Sequence, residues 1–198
     1  MAFGPVYFLS GDAYPTDIHV DQELQGRLSW AFSRWTGQKD IFHPTPESFP
    51  LDDFPRRADH FATYLSKQGP TSDAILIGRS SGGRLASWYA SRHPVRAVIC
   101  LGYPFQNPTR GPEPVRYAHL ADLTVPMLIL QGLRDEYGGR NVVEDYALSP
   151  MVQVKLLDTD HNFRLSSEAW DTVAHDILEF CQGSSLLAVQ TQKSPATP

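Results

Sequence analysis

Apolar residues arrive along this chain in short runs separated by longer amphipathic stretches. The runs cover residues 6–9, 41–42, 74–77, 95–101, 126–130 and 152–157. Read as continuous rather than alternating, they predict strands covered on both faces, as in a parallel sheet. Between the first four runs, residues 21–38, 51–68 and 81–93 carry apolar side chains at helical spacing. Leu24, Leu28, Ala31, Phe32 and Trp35 form one stripe, and Phe54, Ala58, Phe61 and Leu65 a second. Near the C-terminus Trp170, Val173, Ile177 and Cys181 form a third, with Ser166 or Ser167 placed to cap that helix. Strand and helix in regular alternation predict an α/β fold: a doubly wound, mainly parallel six-stranded sheet with helices on both faces.

The pattern fades near residue 183. Residues 1–182 are expected to form one domain, and the polar, proline-containing stretch 183–198 a flexible tail. A chain of 198 residues suffices for one good core and is too short for two ordinary domains.

In such sheets ligands bind beyond the carboxyl ends of the strands, where the winding direction reverses. If the second strand lies outside the first, the reversal falls between the first and third strands. That singles out the loops at residues 10–15 and 79–83.

The second loop carries the most specific motif in the chain. Gly78-Arg79-Ser80-Ser81-Gly82 has the spacing G-x-S-x-G and follows a strand directly. A sharp strand-to-helix turn strains the serine backbone and lifts its hydroxyl clear of the sheet, so the residues two away must be small. Phosphate-binding alternatives lack their signatures, since neither G-x-x-x-x-G-K-[ST] nor G-x-G-x-x-G occurs. Ser80 is therefore the candidate nucleophile.

A serine hydroxyl needs a base within hydrogen-bond reach and an acid that orients the base. With this kind of elbow, the acid and then the histidine follow in chain order. Asp135 comes after the fifth run and His161 after the sixth, so both emerge at the sheet edge that holds Ser80. Glu136 is the rival acid, whereas Asp160 is too close to His161 in sequence to orient it easily.

Negative charge building on a carbonyl oxygen needs N–H donors aimed at it. Ser81 N–H is one expected donor, and Asp12 N–H, or else Ala13 N–H, the other. A carboxylate at position 12 opposes that role unless its side chain points away. Tyr14, Arg79, Tyr103, Phe105 and Tyr137 follow strand ends and are the candidates to line a substrate pocket. Residues 106–125 leave space for a loop and a short helix only, so the pocket is expected to be open and lidless, suited to small soluble substrates.

Composition removes other classes of function. The net charge of −5 and the lack of a Lys/Arg run argue against a nucleic-acid partner. Residues 1–10 lack a basic leader, and no apolar stretch is long enough to span a bilayer, so no membrane partner and a cytoplasmic location are expected. Cys100 and Cys181 read as small buried hydrophobes rather than a disulfide pair. No H-x-H or H-E-x-x-H spacing suggests a metal, and no cofactor is expected.

Together, residues 78–83, Gly102-Tyr103-Pro104-Phe105, the stretch from Leu130 to Asp135, and Asp160-His161 resemble the lidless α/β hydrolases related to dienelactone hydrolase. The resemblance is closest to the branch of testis-expressed proteins and histone-acetyltransferase-complex subunits, and runs from about Val6 to Cys181, with Arg116, His119 and Leu120 in places which that branch tends to fill. It implies a minimal α/β-hydrolase fold and the triad Ser80, Asp135 and His161. Two positions depart from the family pattern: Ser10 stands where a histidine often precedes the glycine, and Asp12 replaces a small residue.

Two functions follow. One is an esterase-like serine hydrolase of small esters or thioesters, working through an acyl-enzyme on Ser80. The other is a binding or scaffold protein that retains the elbow without useful turnover. Peptidase and dienelactone hydrolase chemistries use the same machinery, the latter commonly with a cysteine where this chain has Ser80.

Overall fold

The computed structural model describes residues 2–42 and 53–192. In chain order its elements are β1 (Val6–Leu9), α1 (Ile18–Leu28), β2 (Trp35–Thr36), α2 (Gln38–Ile41), α3 (Phe54–Ser66), β3 (Ile75–Arg79), α4 (Ser81–Ala90) and β4 (Ala97–Leu101). There follow β5 (Gln106–Asn107), β6 (Gly111–Pro112), α5 (Pro114–Tyr117), β7 (Met127–Gly132), α6 (Val142–Asp145), β8 (Val152–Leu157) and α7 (Ser167–Gln192).

Alternate side chains of the central strands enter two separate cores. On one face Leu76, Val98 and Cys100 meet Phe61 and Leu65 of α3 and Leu85 and Tyr89 of α4. On the other, Ile75, Ile77, Ala97 and Ile99 meet Val20, Leu24 and Leu28 of α1 and Trp170, Val173 and Ile177 of α7. Two apolar faces on one strand explain why β3 and β4 read as continuous runs. The main sheet has the order β2-β1-β3-β4-β7-β8, and every pairing in it is parallel. Winding reverses between β1 and β3, which places the loops after both strands side by side.

The second strand is not where the apolar run at 41–42 suggests. Ile41 ends α2, and the edge strand is Trp35–Thr36, paired with Val6 and Tyr7. Helix α1 stops at Leu28 instead of reaching residue 38, and Phe32 is extended. The stripe of Phe32 and Trp35 is real but is satisfied by another geometry. Phe32 packs against Phe3 with ring centroids 5.5 Å apart, and Trp35 against Phe8 at 6.3 Å. Aromatic packing against the sheet edge overrides a helical spacing that extends about two turns further.

Helix α3 begins at Phe54, where Asp53 accepts from the Arg56 N–H at 3.1 Å and Pro55 occupies the first turn. The expected start at 51–52 lies outside the described residues. Helix α4 ends at Ala90, three residues short of His93. Ser166 caps α7 by accepting from Ala169 N–H at 3.3 Å. That helix continues to Gln192, so the tail expected from residue 183 is helical over most of its length. Leu186, Leu187, Ala188 and Gln190 all favour helix. Residues 193–198 lie outside the described residues. The segment 106–125 holds only the β5–β6 hairpin, α5 and a short 3₁₀ stretch, Ala118–Asp122. Among the described residues no helix is long and apolar enough to cross a membrane.

Candidate active site

The turn from β3 into α4 holds Ser80 at φ 51° and ψ −120°, a conformation that L-residues with a side chain rarely adopt. Close backbone approach explains the flanking glycines. A Cβ on Gly78 would lie 2.3 Å from Gly83 N, and one on Gly82 would lie 2.0 Å from Leu9 O. The strained residue is thus fixed by backbone packing on both sides.

Three side chains from separate loops converge above this turn. Ser80 Oγ lies 3.0 Å from His161 Nε2. His161 Nδ1 lies 2.9 Å from both Asp135 Oδ1 and Oδ2. Asp135 follows β7 and His161 follows β8, the register expected for an acid and a base on successive strands. The Asp135 carboxylate is fully buried and the imidazole is 15% exposed. Its two oxygens are further occupied: Tyr137 N–H donates to Oδ1 and Gln131 Nε2 to Oδ2, each at 2.8 Å. Gln131, itself buried, also accepts from Tyr103 N–H at 2.8 Å. This carboxylate accepts only, so it fixes the Nδ1–H tautomer and leaves the Nε2 lone pair facing Ser80. Glu136 is exposed, and Asp160 accepts from Asn162 N–H at 2.8 Å, so neither rival touches the imidazole.

The loop after β1 lies against the same turn. Ser10 N–H donates to Gln38 Oε1 at 3.0 Å, and Gly11 N–H to Asp17 Oδ2 at 2.9 Å. Among the described residues, no acceptor takes the backbone N–H of Asp12, Ala13 or Ser81. Those three are the candidate oxyanion donors, and the elimination leaves both Asp12 and Ala13 in place. The Asp12 carboxylate is held aside: Oδ1 accepts from Ser81 Oγ at 2.5 Å and from Arg57 Nη1 at 3.1 Å.

A polar cleft of about 410 Å³ opens over these residues, with Gly11, Asp12, Arg79, Ser80, Tyr137 and His161 in its walls. Of the expected substrate residues, Arg79 and Tyr137 lie here. Tyr137 packs on the imidazole with ring centroids 4.2 Å apart. The Arg79 guanidinium donates to the His161 carbonyl, and Nη1 lies 3.1 Å from Nε2. Tyr103 and Phe105, expected to line the pocket, do not: both are fully buried in the hydrophobic core, and Tyr103 Oη donates to Arg116 O at 2.6 Å. The turn at Gly102, with φ 68°, sends the chain back into the core there, so following a strand end does not bring these rings to the surface. Tyr14 is half-buried and outside the cleft walls.

Sequence reading missed Arg57, Asp17, Gln38 and Gln131. Arg57 had a signal, an arginine three residues after Phe54 and four before Phe61, inside an apolar stripe. The others sit at strand ends and helix starts, where a polar residue is ordinary. Cys100 and Cys181 are free and buried. Among the described residues no group of three His, Cys, Asp or Glu side chains is placed to hold a metal.

No curated protein matches the chain. Several solved structures do. The esterase domain of a Rhodothermus marinus protein has a TM-score of 0.60 and 16% identity, over 87% of this chain and 83% of that one. A proline iminopeptidase from Mycobacterium smegmatis gives 0.63 and 15%, over 93% and 91%. A structure from the study of LipS and LipT, lipolytic enzymes derived from a metagenome, gives 0.66 and 13%, over 92% and 94%. At those identities the likeness is one of fold alone. A family model described as an alpha/beta hydrolase domain matches residues 44–186, and with the parallel sheet and its elbow this makes the chain a member of the α/β-hydrolase family.

Proposed function

We propose that this protein is a serine hydrolase that cleaves small soluble esters or thioesters through an acyl-enzyme on Ser80. One observation carries the reading: an unbroken line of contacts from Asp135 through His161 to Ser80 Oγ, at a strained elbow on the edge of an open cleft. His161 Nε2 takes the proton as Oγ attacks the substrate carbonyl, and Asp135 stabilises the imidazolium. The oxyanion accepts from Ser81 N–H and from Asp12 or Ala13 N–H. Collapse expels the alcohol or thiol, which receives the proton from His161. Water then attacks the acyl-enzyme with His161 again as base, releasing the acid.

Within the family we place the chain in the branch of testis-expressed proteins and histone-acetyltransferase-complex subunits, on the motifs around Gly102 and Asp135. We also assign it to the cytoplasm, for which two buried free thiols are the support. Cell fractionation tests that assignment.

A binding or scaffold role without turnover is the reading that the acidic Asp12 favours. One experiment decides between them. Wild-type protein should react with a fluorophosphonate probe and Ser80→Ala should not. A wild type that stays unlabelled, and that turns over none of a panel of short-chain esters and thioesters, overturns the hydrolase reading.

A further inference from the structure

A carboxylate at position 12 presents the proposed oxyanion site with charge of the wrong sign. The structure shows what answers it. Arg57 projects from α3 with its side chain fully buried, while Asp12 at the cleft wall is 55% exposed. One guanidinium reaches both halves of the site. Nη1 donates to Asp12 Oδ1 at 3.1 Å and to Ser81 Oγ at 2.9 Å, and Nη2 donates to the Ser10 carbonyl. Ser81 Oγ closes the ring by donating to Asp12 Oδ1 at 2.5 Å.

We propose that Arg57 is a positioning residue of the oxyanion site, which neutralises Asp12 and ties the loop after β1 to the residue that follows the nucleophile. Burial lowers its pKa to about 10, with Asp12 and Asp17 opposing the shift, so it remains a cation at neutral pH. A buried cation needs a counter-charge, and Asp12 supplies it. The pair is close to neutral as seen from the cleft, whereas Asp12 alone would repel a developing oxyanion. Both candidate donor segments, 10–13 and Ser81, are then held by one planar group whose fork fits several acceptors together.

The inference rests on the hydrolase reading, and the test separates the two. Steady-state hydrolysis of a short-chain p-nitrophenyl ester is measured for wild type, Arg57→Met, Asp12→Asn and the double variant, with thermal melts on each. Arg57→Met should lower kcat by about 100-fold, on the order of a lost oxyanion donor, and change KM by less than about threefold, because the defect appears as charge develops. Adding Asp12→Asn to Arg57→Met removes the uncompensated carboxylate and should recover kcat by about tenfold. A purely structural role predicts the opposite, since the double variant loses one more hydrogen bond and should be no better.

Should Arg57→Met melt below the assay temperature, Arg57→Lys gives the decision. Lysine keeps the charge but cannot hold Ser10 O, Asp12 and Ser81 at once, so kcat should fall about fivefold or more with KM nearly constant. An active wild type with no recovery in the double variant, or with undiminished kcat in Arg57→Lys, overturns the role of Arg57 alone. A wild type without labelling or turnover overturns the hydrolase reading and this inference with it.

Discussion

Arg79 Nη1 lies 3.1 Å from His161 Nε2, the same nitrogen that Ser80 Oγ approaches at 3.0 Å. A guanidinium only donates, and Nε2 of the Nδ1–H tautomer offers a single lone pair. Two donors therefore share the atom that the proposed mechanism uses to accept the Ser80 proton. In the proposed reaction, Nε2 once protonated would face a cation that cannot accept from it, so Arg79 would have to withdraw.

The first expected outcome follows from weighing two effects of removing that guanidinium. Arg79→Met loses the bond to the His161 carbonyl, but the imidazole remains held by Asp135 and by the Tyr137 ring. Nothing else relieves the sharing at Nε2. Labelling of Ser80 by a fluorophosphonate should accelerate by about three- to tenfold, the equivalent of a charge-assisted competitor worth about 1 kcal/mol. Melting temperature should fall, because a link between the elbow and the loop after β8 is gone. A labelling rate below wild type would mean that the tether outweighs the competition.

The rivalry between Asp135 and Glu136 gives the second. Both oxygens of Asp135 receive N–H donors besides the imidazole. Asparagine at 135 would turn an NH₂ toward one of those donors and remove the acceptor that fixes the tautomer. Asp135→Asn should lower kcat by about ten-thousand-fold, whereas Glu136→Gln, which alters an exposed side chain with no contact to the imidazole, should change kcat by less than about threefold. Steady-state assays on the two variants check this, and a comparable loss in Glu136→Gln would reassign the acid.

What was legible in the sequence, and what was not, divides along physical lines. The central strands β1, β3, β4 and β7 announced themselves because both of their faces are apolar, and a short apolar run without alternation suits a strand buried between two helical layers. The convergence of Ser80, Asp135 and His161 above one turn was legible because elbow sterics and chain order constrain three positions jointly. Trp35 and Ile41 misled, since an aromatic or aliphatic residue near a helical stripe buries equally well on an edge strand or in a single turn of helix. Tyr103 and Phe105 misled because sequence marks a strand end but not the direction taken after it. The ring formed by Arg57, Asp12 and Ser81 joins residues 45 and 24 positions apart, and no local pattern encodes such a closure.

A half-buried histidine away from the cleft sets the third outcome, on acid stability. His119 sits beside Arg84, Arg92, Phe54 and Trp88, and Nε2 lies 2.9 Å from Ser87 Oγ. Burial first, then the charges of Arg92 and Arg84, lower its pKa from 6.5 to about 4. The native state keeps this imidazole neutral in that interval while the unfolded chain binds the proton. Unfolded protein therefore binds more protons, so stability rises with pH across the window and is lost as pH falls from 6.5 toward 4. The loss should be about 2–3 kcal/mol over that window, read as a shift in urea midpoint. His119→Gln should flatten it, and an unchanged slope in that variant would show that other groups carry the acid sensitivity.

Two glycines to alanine make the last comparison, because the same added methyl meets opposite surroundings. At Gly82 a Cβ would lie 2.0 Å from Leu9 O and 2.5 Å from Ser10 O, both backbone atoms at the end of β1. Neither can swing aside as a flexible side chain would, so β1 and the loop carrying Asp12 must move off α4. Overpacking against backbone should cost about 3 kcal/mol or more, and the displaced loop should also slow fluorophosphonate labelling of Ser80. At Gly26, exposed on α1, nothing lies within 4 Å of the same methyl. There alanine only restricts the unfolded chain and favours helix, and should stabilise by about 0.5–1 kcal/mol. Thermal and urea unfolding of Gly82→Ala and Gly26→Ala, side by side, measure both signs. A Gly82→Ala protein as stable and as reactive as wild type would show that the elbow does not press on β1, and the strained serine would then lose the support on which its geometry depends.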